Sequence, residues 1–135
     1  VYLADCLSSR ETLDKYQISF VYDVAAYLDT LERVKAMEAK CFVPAHAEAS
    51  EDVSSLAQYN IDKVLEIGDR IVDLCGEPLC FEALLQKLFA HYGLTMNFEQ
   101  YVLVGSTVRS YLSWLKDGGR LDALFEDNTL LWRRK

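Results

Sequence analysis

The hydrophobic pattern of the first 50 residues predicts a strand, a loop, a helix and a second strand. The apolar run VYLA stops at Asp5, and the run AKCFVPAH stops at Pro44, as two short strands do. Between them Asp23 is a suitable helix N-cap. Apolar residues then recur at helical spacing, at Val24, Tyr27, Leu28, Leu31 and Val34. Two strands that flank a crossover helix are typical of a sheet covered by helices.

Residues 51–135 have a different pattern, which predicts three helices and a hairpin. A long amphipathic stretch from Val53 to Val72 ends near Gly76 and Pro78. The second helix covers CFEALLQKLFAHYG, and NFEQ reads as a capping box that opens the third. The segments RLDALFE and TLLWRRK then flank an Asp-Asn turn and predict two antiparallel strands.

The change of pattern places a domain boundary between Ala47 and Glu51, so we predict two parts, 1–50 and 51–135. Two strands and one helix cannot bury a sheet, and we therefore expect 1–50 to be a piece of a larger domain. Three helices followed by a hairpin is the order of a winged helix. The expected class is α+β, mostly helical.

Composition and charge restrict the function. The chain has 135 residues, is 51% hydrophobic and carries a formal net charge of −7, so it can form a core and lacks the cationic surface typical of nucleic-acid binding. We expect neither a membrane span nor a signal segment, and we expect the cytoplasm as its compartment. The cysteines Cys6, Cys41, Cys75 and Cys80 form no C-x-x-C pair, and we interpret them as reduced thiols.

Two residues stand out because of where their strands stop. Asp5 ends the first predicted strand, and His46 follows the second. If the strands are parallel, their carboxyl ends meet at the edge where α/β folds bind ligands. Carboxylate and imidazole are ligands that zinc and iron take. Two ligands so far apart in the chain are a weak signal, and a turn acid and a loop histidine remain the alternatives.

The segment VYLADCLSSRETLDKYQISFVYDVAAYLDTLERVKAMEAKCFVPAHAEA resembles the C-terminal half of a metallo-β-lactamase-fold hydrolase. In that family a strand ends in an Asp that bridges two metal ions, a helix of similar pattern follows, and a second strand ends in a metal-binding His after Pro. Asp5 and His46 match these two positions, although Ala47 replaces the usual Gly. The rest of the chain resembles the winged-helix-like extension that some of these hydrolases carry.

The resemblance implies a truncated αββα sandwich in a metal-dependent hydrolase that uses two zinc or iron ions. The family's H-x-H-x-D-H motif does not occur in this chain, so we expect the partner to be a missing N-terminal half of the catalytic domain. Asp5 and His46 are the expected metal ligands, and no residue of the chain is assigned as a catalytic acid, base or nucleophile. We expect the fragment by itself to be inactive and metal-poor.

Several expectations about binding accompany this interpretation. Tyr16 and Tyr22, in the loop after Asp5, are candidate substrate contacts. The substrate would be a small ester, thioester or related compound, which the sequence does not identify. The exposed strand VYLA is prone to edge pairing, so we expect a homo-oligomer.

The alternative is a winged-helix module for protein binding, DNA binding or dimerisation without catalysis. In that case the third helix would present its polar face to DNA. Residues 51–135 contain nine Lys or Arg and thirteen Asp or Glu, a net charge of −4, which argues against DNA. The candidate face comprises Ser106, Thr107, Arg109, Ser110, Ser113 and Lys116.

Overall fold

The computed structural model describes residues 2–37, 43–46 and 54–135, with the backbone path alone for 2–6 and 43–46. Contacts divide the chain into two compact units. Unit 1 consists of Val1–Ser19 and Val24–Leu65, and unit 2 consists of Phe20–Asp23 and Glu66–Lys135. Residues 47–51, where the sequence places the domain boundary, lie outside the described residues.

Unit 1 contains a parallel strand pair and helices, as the crossover pattern predicts. Its elements are β1 (Tyr2–Ser8), α1 (Arg10–Tyr16), α2 (Val24–Ala36), β2 (Val43–His46) and the first half of α3 (Ser54–Leu74). Strand β1 pairs with β2 in parallel. Helix α2 begins directly after Asp23, where the sequence predicts the start of a helix.

Three local predictions in unit 1 were wrong. Strand β1 does not stop at Asp5 but continues to Ser8, and β2 continues through Pro44 to His46. The segment after β1 is not only loop, because it forms the short helix α1. Ser9 caps this helix with its side chain, which accepts a hydrogen bond from the Thr12 backbone amide at 3.1 Å. This N-cap gives the chain an early helix start that apolar periodicity does not reveal.

The core of unit 1 lies between β1, α2 and the first half of α3. Leu7 and Leu31 are fully buried, and Tyr27, Leu28 and Leu56 pack against this core. The other buried members are Val34, Ala57 and Ile61. Helix α3 thus contributes to the core through residues three or four positions apart, as its amphipathic pattern requires.

Unit 2 confirms the predicted order of helices and hairpin. It contains the second half of α3, then α4 (Phe81–Tyr92), α5 (Phe98–Asp117), β3 (Leu121–Glu126) and β4 (Thr129–Arg134). Gly93 ends α4 in the left-handed conformation, with φ of 66°. Asn97 caps α5 by accepting a hydrogen bond from the Gln100 amide at 2.8 Å.

The hairpin of unit 2 is held by its turn and by a further bridge. Asp127 and Asn128 both have positive φ, the conformation of a type I′ turn, so β3 and β4 pair in antiparallel register. Leu79 forms an isolated antiparallel bridge with Trp132 on β4, with hydrogen bonds in both directions at 2.8 and 3.0 Å. The bridge joins the chain before α4 to the hairpin.

The described part of the chain is α+β and mostly helical, as expected. Among the described helices, none combines the length and the apolar character that crossing a bilayer requires. Cys75 and Cys80 are free thiols, Cys75 being buried, while the side chains of Cys6 and Cys41 lie outside the described residues.

Candidate functional site

The backbone brings the two candidate metal ligands to neighbouring strands. Asp5 lies within β1 and His46 is the last residue of β2, and the two strands run in the same direction. The paired positions are Tyr2 with Val43, Ala4 with Pro44 and Ser8 with His46. The side chains of Asp5 and His46 lie outside the described residues, so their assignment as ligands remains a prediction.

Strand β1 is irregular at Asp5. It advances six residues, from Tyr2 to Ser8, while β2 advances three, from Val43 to His46. The larger irregularity separates the Ala4 pair from the Ser8 pair, and Asp5 lies inside it. Such an irregularity interrupts the regular ladder between the two strands and leaves residues between the paired positions.

A buried amide from α3 holds the end of this irregular segment. The Asn60 side chain accepts a hydrogen bond from the Ser8 backbone N–H at 3.0 Å and donates one to the Ser8 carbonyl at 2.9 Å. It also donates to the Leu56 carbonyl at 2.9 Å, and the Tyr27 hydroxyl lies 3.5 Å from its oxygen. Asn60 is only 1% exposed, so these bonds form away from water.

Sequence reasoning did not single out Asn60, although the sequence contains a signal. It occupies a position on the apolar face of α3, three residues after Ala57 and four before Val64. A polar side chain on an apolar stripe must find hydrogen-bond partners when it is buried. The pattern therefore indicates a buried polar contact, but it cannot identify Ser8 as the partner.

The two tyrosines proposed as substrate contacts are both exposed. Tyr16 ends α1 in unit 1 with 55% of its surface accessible, and the Lys15 ammonium lies 5.1 Å from the centre of its ring. Tyr22 belongs to unit 2 and is 86% exposed. Exposure leaves both rings accessible to a ligand, and their role remains a prediction.

Tyr22 lies in a short segment, residues 20–23, that is fastened to α5. The buried Val21 amide donates a hydrogen bond to Thr107 Oγ1 at 3.1 Å. The Ser110 hydroxyl donates to the Tyr22 carbonyl at 2.7 Å. Phe20 and Tyr22 remain exposed on either side of the buried Val21.

This segment occupies part of the α5 face that the sequence offers to DNA. Thr107 is fully buried, and Ser110 is bonded to the segment's backbone, so neither is a free donor on an open surface. The Arg109 guanidinium lies over the Phe81 ring, 3.8 Å from its centre. The remaining polar residues Ser106, Ser113 and Lys116 are exposed.

Unit 2 also contains a shallow, largely apolar groove of about 630 Å³ between α4 and the start of α5. The Tyr101 hydroxyl donates a hydrogen bond to Glu82 beside this groove, which raises the pKa of Tyr101 above its ordinary value. No cluster of metal ligands lies among the described residues that line the groove. They are Glu82, Ala83, Gln86, Phe89, Ala90, Leu94, Met96 and Tyr101.

The donor types of Asp5 and His46 fit a zinc or iron site, but two donors do not complete one. Within residues 2–37, 43–46 and 54–135, no group of three or more His, Cys, Asp or Glu side chains could hold a metal ion. A site on this sheet would therefore need ligands other than the side chains that the structure describes.

Comparison of the fold with known structures finds similar proteins, among them the following two. One is a metallo-beta-lactamase family protein from Thermus thermophilus, with a TM-score of 0.71 and 14% identity. The other is a beta-lactamase domain protein from Burkholderia ambifaria, with a TM-score of 0.67 and 15% identity. Each match covers 98% of this chain and 40% of the other, so the chain spans less than half the length of either protein.

The similarity extends over the elements of both units because almost the whole chain is matched. At these identities it establishes the fold alone. No protein-family profile matches the sequence, and no curated protein sequence is significantly similar to it.

Proposed function

We propose that this chain is the C-terminal portion of a metal-dependent hydrolase of the metallo-β-lactamase superfamily, in which Asp5 and His46 bind metal. The parallel pairing of β1 and β2 carries the proposal, because it brings the backbones of these two residues to one part of one sheet. The fold similarity to part of two proteins of this kind supports it.

Two bound zinc or iron ions would lower the pKa of a bound water and polarise the substrate's carbonyl or phosphoryl oxygen. The Asp5 carboxylate and the His46 imidazole would help to hold these ions. Neither residue needs to transfer a proton in this role. The remaining ligands would come from the missing N-terminal half of the catalytic domain.

The helices and hairpin of unit 2 form a winged-helix-like extension in this proposal. Three helices, a hairpin, and a bridge from Leu79 to the hairpin support the assignment. The structural matches reach over this part as well. We also propose Tyr16 and Tyr22 as substrate contacts in the complete enzyme, which we expect in the cytoplasm.

A DNA-binding role for unit 2 is less well supported. Residues 20–23 are bonded to the middle of α5, where a recognition helix would need an open face. The hairpin tip carries Glu126 and Asp127, which would repel phosphates. We therefore favour an intramolecular role for α5 over the nucleic-acid alternative.

The first prediction concerns the metal ligands in the full-length protein. Asp5→Asn and His46→Gln should each lower metal content and reduce hydrolysis of ester, thioester and phosphodiester probes. The loss should exceed the roughly 10- to 100-fold that second-shell changes cost, because a direct ligand is removed. Metal is measured by elemental analysis and hydrolysis by initial rates.

Ser106→Ala is the matched control, since Ser106 is an exposed residue of α5 and should leave both quantities unchanged. Full metal content in Asp5→Asn and His46→Gln would contradict the assignment of these residues as ligands. A full-length protein that contains no zinc or iron would contradict the proposed function itself.

A further inference from the structure

The environment of Asn60 is unusual for a polar residue in the middle of a helix. Its carboxamide engages four groups in a nearly inaccessible position: the Ser8 N–H at 3.0 Å, the Ser8 carbonyl at 2.9 Å, the Leu56 carbonyl at 2.9 Å and the Tyr27 hydroxyl at 3.5 Å. Only the bond to Leu56 is local to α3. The others reach out to α2 and β1.

Asn60 makes a pair of hydrogen bonds to the backbone of Ser8. An amide side chain that accepts from N–H and donates to C=O of one residue reproduces what a neighbouring strand would provide. Asn60 therefore satisfies both backbone hydrogen-bonding groups of Ser8 with one side chain. It fixes the position of Ser8 with two bonds rather than one.

Ser8 is a significant place for this contact. It is the residue of β1 that pairs with His46, and it closes the irregular segment that begins at Ala4 and contains Asp5. Residues inside such a segment lack a regular ladder, so the positions of its two ends determine the course of the backbone between them. The two hydrogen bonds with Asn60 fix the Ser8 end of this segment.

We propose that Asn60 is a positioning residue for the metal site. Its carboxamide fixes the end of β1 opposite His46 and thereby sets the backbone course that presents Asp5 to the metal. The role rests on the proposed function, because it requires Asp5 and His46 to be ligands. Asn60 itself does not contact metal or substrate in this role.

Two variants of the full-length protein test this role. Asn60→Leu removes both bonds to Ser8 at similar side-chain size. Asn60→Asp keeps an acceptor for the Ser8 N–H but loses the donor to the Ser8 carbonyl. Zinc affinity, measured by competition with a chromophoric chelator, should fall by roughly 10- to 100-fold, as for other residues that orient metal ligands. The cobalt-substituted variants should also show an altered visible spectrum.

Thr107→Val provides the matched control. Thr107 is also fully buried and also accepts a bond from a distant backbone N–H, that of Val21, but it lies in unit 2. Thr107→Val should lower thermal stability, because it removes a buried hydrogen bond. Zinc affinity and the cobalt spectrum should stay as in the wild type. If Asn60 were only structural, its variants would likewise lower thermal stability without changing zinc affinity or the cobalt spectrum.

A measurement on the wild type decides the matter if the Asn60 variants do not fold. Coupling between two sites is reciprocal, so bound zinc should slow hydrogen exchange at the Ser8 amide. The Val21 amide, held by Thr107, should exchange at the same rate with and without zinc.

The outcomes separate this role from the proposed function. A wild-type protein that binds no metal overturns both. A wild type that binds zinc overturns only the role of Asn60 if its Asn60 variants bind as tightly as Thr107→Val. The same conclusion follows if zinc leaves exchange at Ser8 unchanged.

Discussion

Cys75 shows how burial controls the chemistry of a single side chain. Its thiol is fully buried at the end of α3, and desolvation raises its pKa from the ordinary 9.0 to about 11. Near neutral pH the residue therefore remains a thiol, which is a poor nucleophile and a poor metal ligand. This agrees with its interpretation as a reduced structural cysteine.

The raised pKa predicts a loss of stability at alkaline pH. The folded state holds the thiol proton more tightly than the unfolded state, so this contribution is complete below pH 9 and disappears as pH rises through 11. The two-unit difference corresponds to at most about 3 kcal/mol of unfolding free energy. The free energy of unfolding, measured in urea, should therefore fall more steeply between pH 9 and 11 for the wild type than for Cys75→Ala. An equal fall in the two proteins would contradict this.

Two buried polar side chains form hydrogen bonds with backbone groups that are distant in sequence. Asn60 and Thr107 both lie on helices, and both are buried because they satisfy backbone groups of segments far away in sequence. Removing such a side chain leaves the backbone group buried and unpaired, which costs about 1–3 kcal/mol. Their amphipathic positions were visible in the sequence, but their partners were not.

Among the secondary-structure elements, the helices of unit 2 approach one another closely at two glycines. A Cβ on Gly68 of α3 would come within 2.9 Å of Cζ3 of Trp114 on α5. A Cβ on Gly105 of α5 would meet its nearest atom, Cζ of Phe81 on α4, at an ordinary 3.5 Å. Both glycines lie inside helices, but only Gly68 leaves no room for a side-chain methyl group.

The difference predicts opposite effects of the same substitution. Gly105→Ala should stabilise the protein by about 0.5–1 kcal/mol, because alanine favours the helix and finds room. Gly68→Ala should destabilise it by about 1–3 kcal/mol, because the Trp114 ring must move. Urea unfolding of both variants measures this, and equal shifts of the two midpoints would argue against the close packing of α3 and α5.

For the whole molecule, the proposed function predicts that the isolated 135-residue chain differs from a full-length hydrolase in metal content and assembly. Catalytic zinc sites use three protein ligands and structural sites four, whereas the proposed site takes two, Asp5 and His46, from this chain. An unpaired strand edge is prone to pair with a second copy. We expect the purified chain to lack stoichiometric zinc, to hydrolyse none of the probes and to self-associate.

Elemental analysis, initial rates and light scattering measure these three properties of the isolated chain. A buffer blank taken through the same steps controls for metal carried over from buffers. One tightly bound zinc per chain would contradict the incomplete ligand set. A strictly monomeric mass would count against edge pairing.

The local elements of unit 2 follow from its sequence because their signals are local. Gly93, Asn97 and the Asp127-Asn128 turn each act on neighbouring backbone groups, and the structure confirms the helix ends and the hairpin at these places. Apolar periodicity identifies the buried faces for the same reason, since residues three or four apart share a helix side.

Contacts between distant segments depend on the tertiary structure, because hydrogen bonds across 52 or 86 positions leave no periodic signal. The sequence suggested that Asp5 and His46 come together only if the strands were parallel, and the fold supplies that pairing. It also decided that β1 runs on to Ser8 with an irregular course at Asp5, and that residues 20–23 lie on α5. On an isolated helix, Asn60 and Thr107 would be exposed to water. In the folded chain they are buried, because their side chains satisfy the backbone hydrogen-bonding groups of another segment.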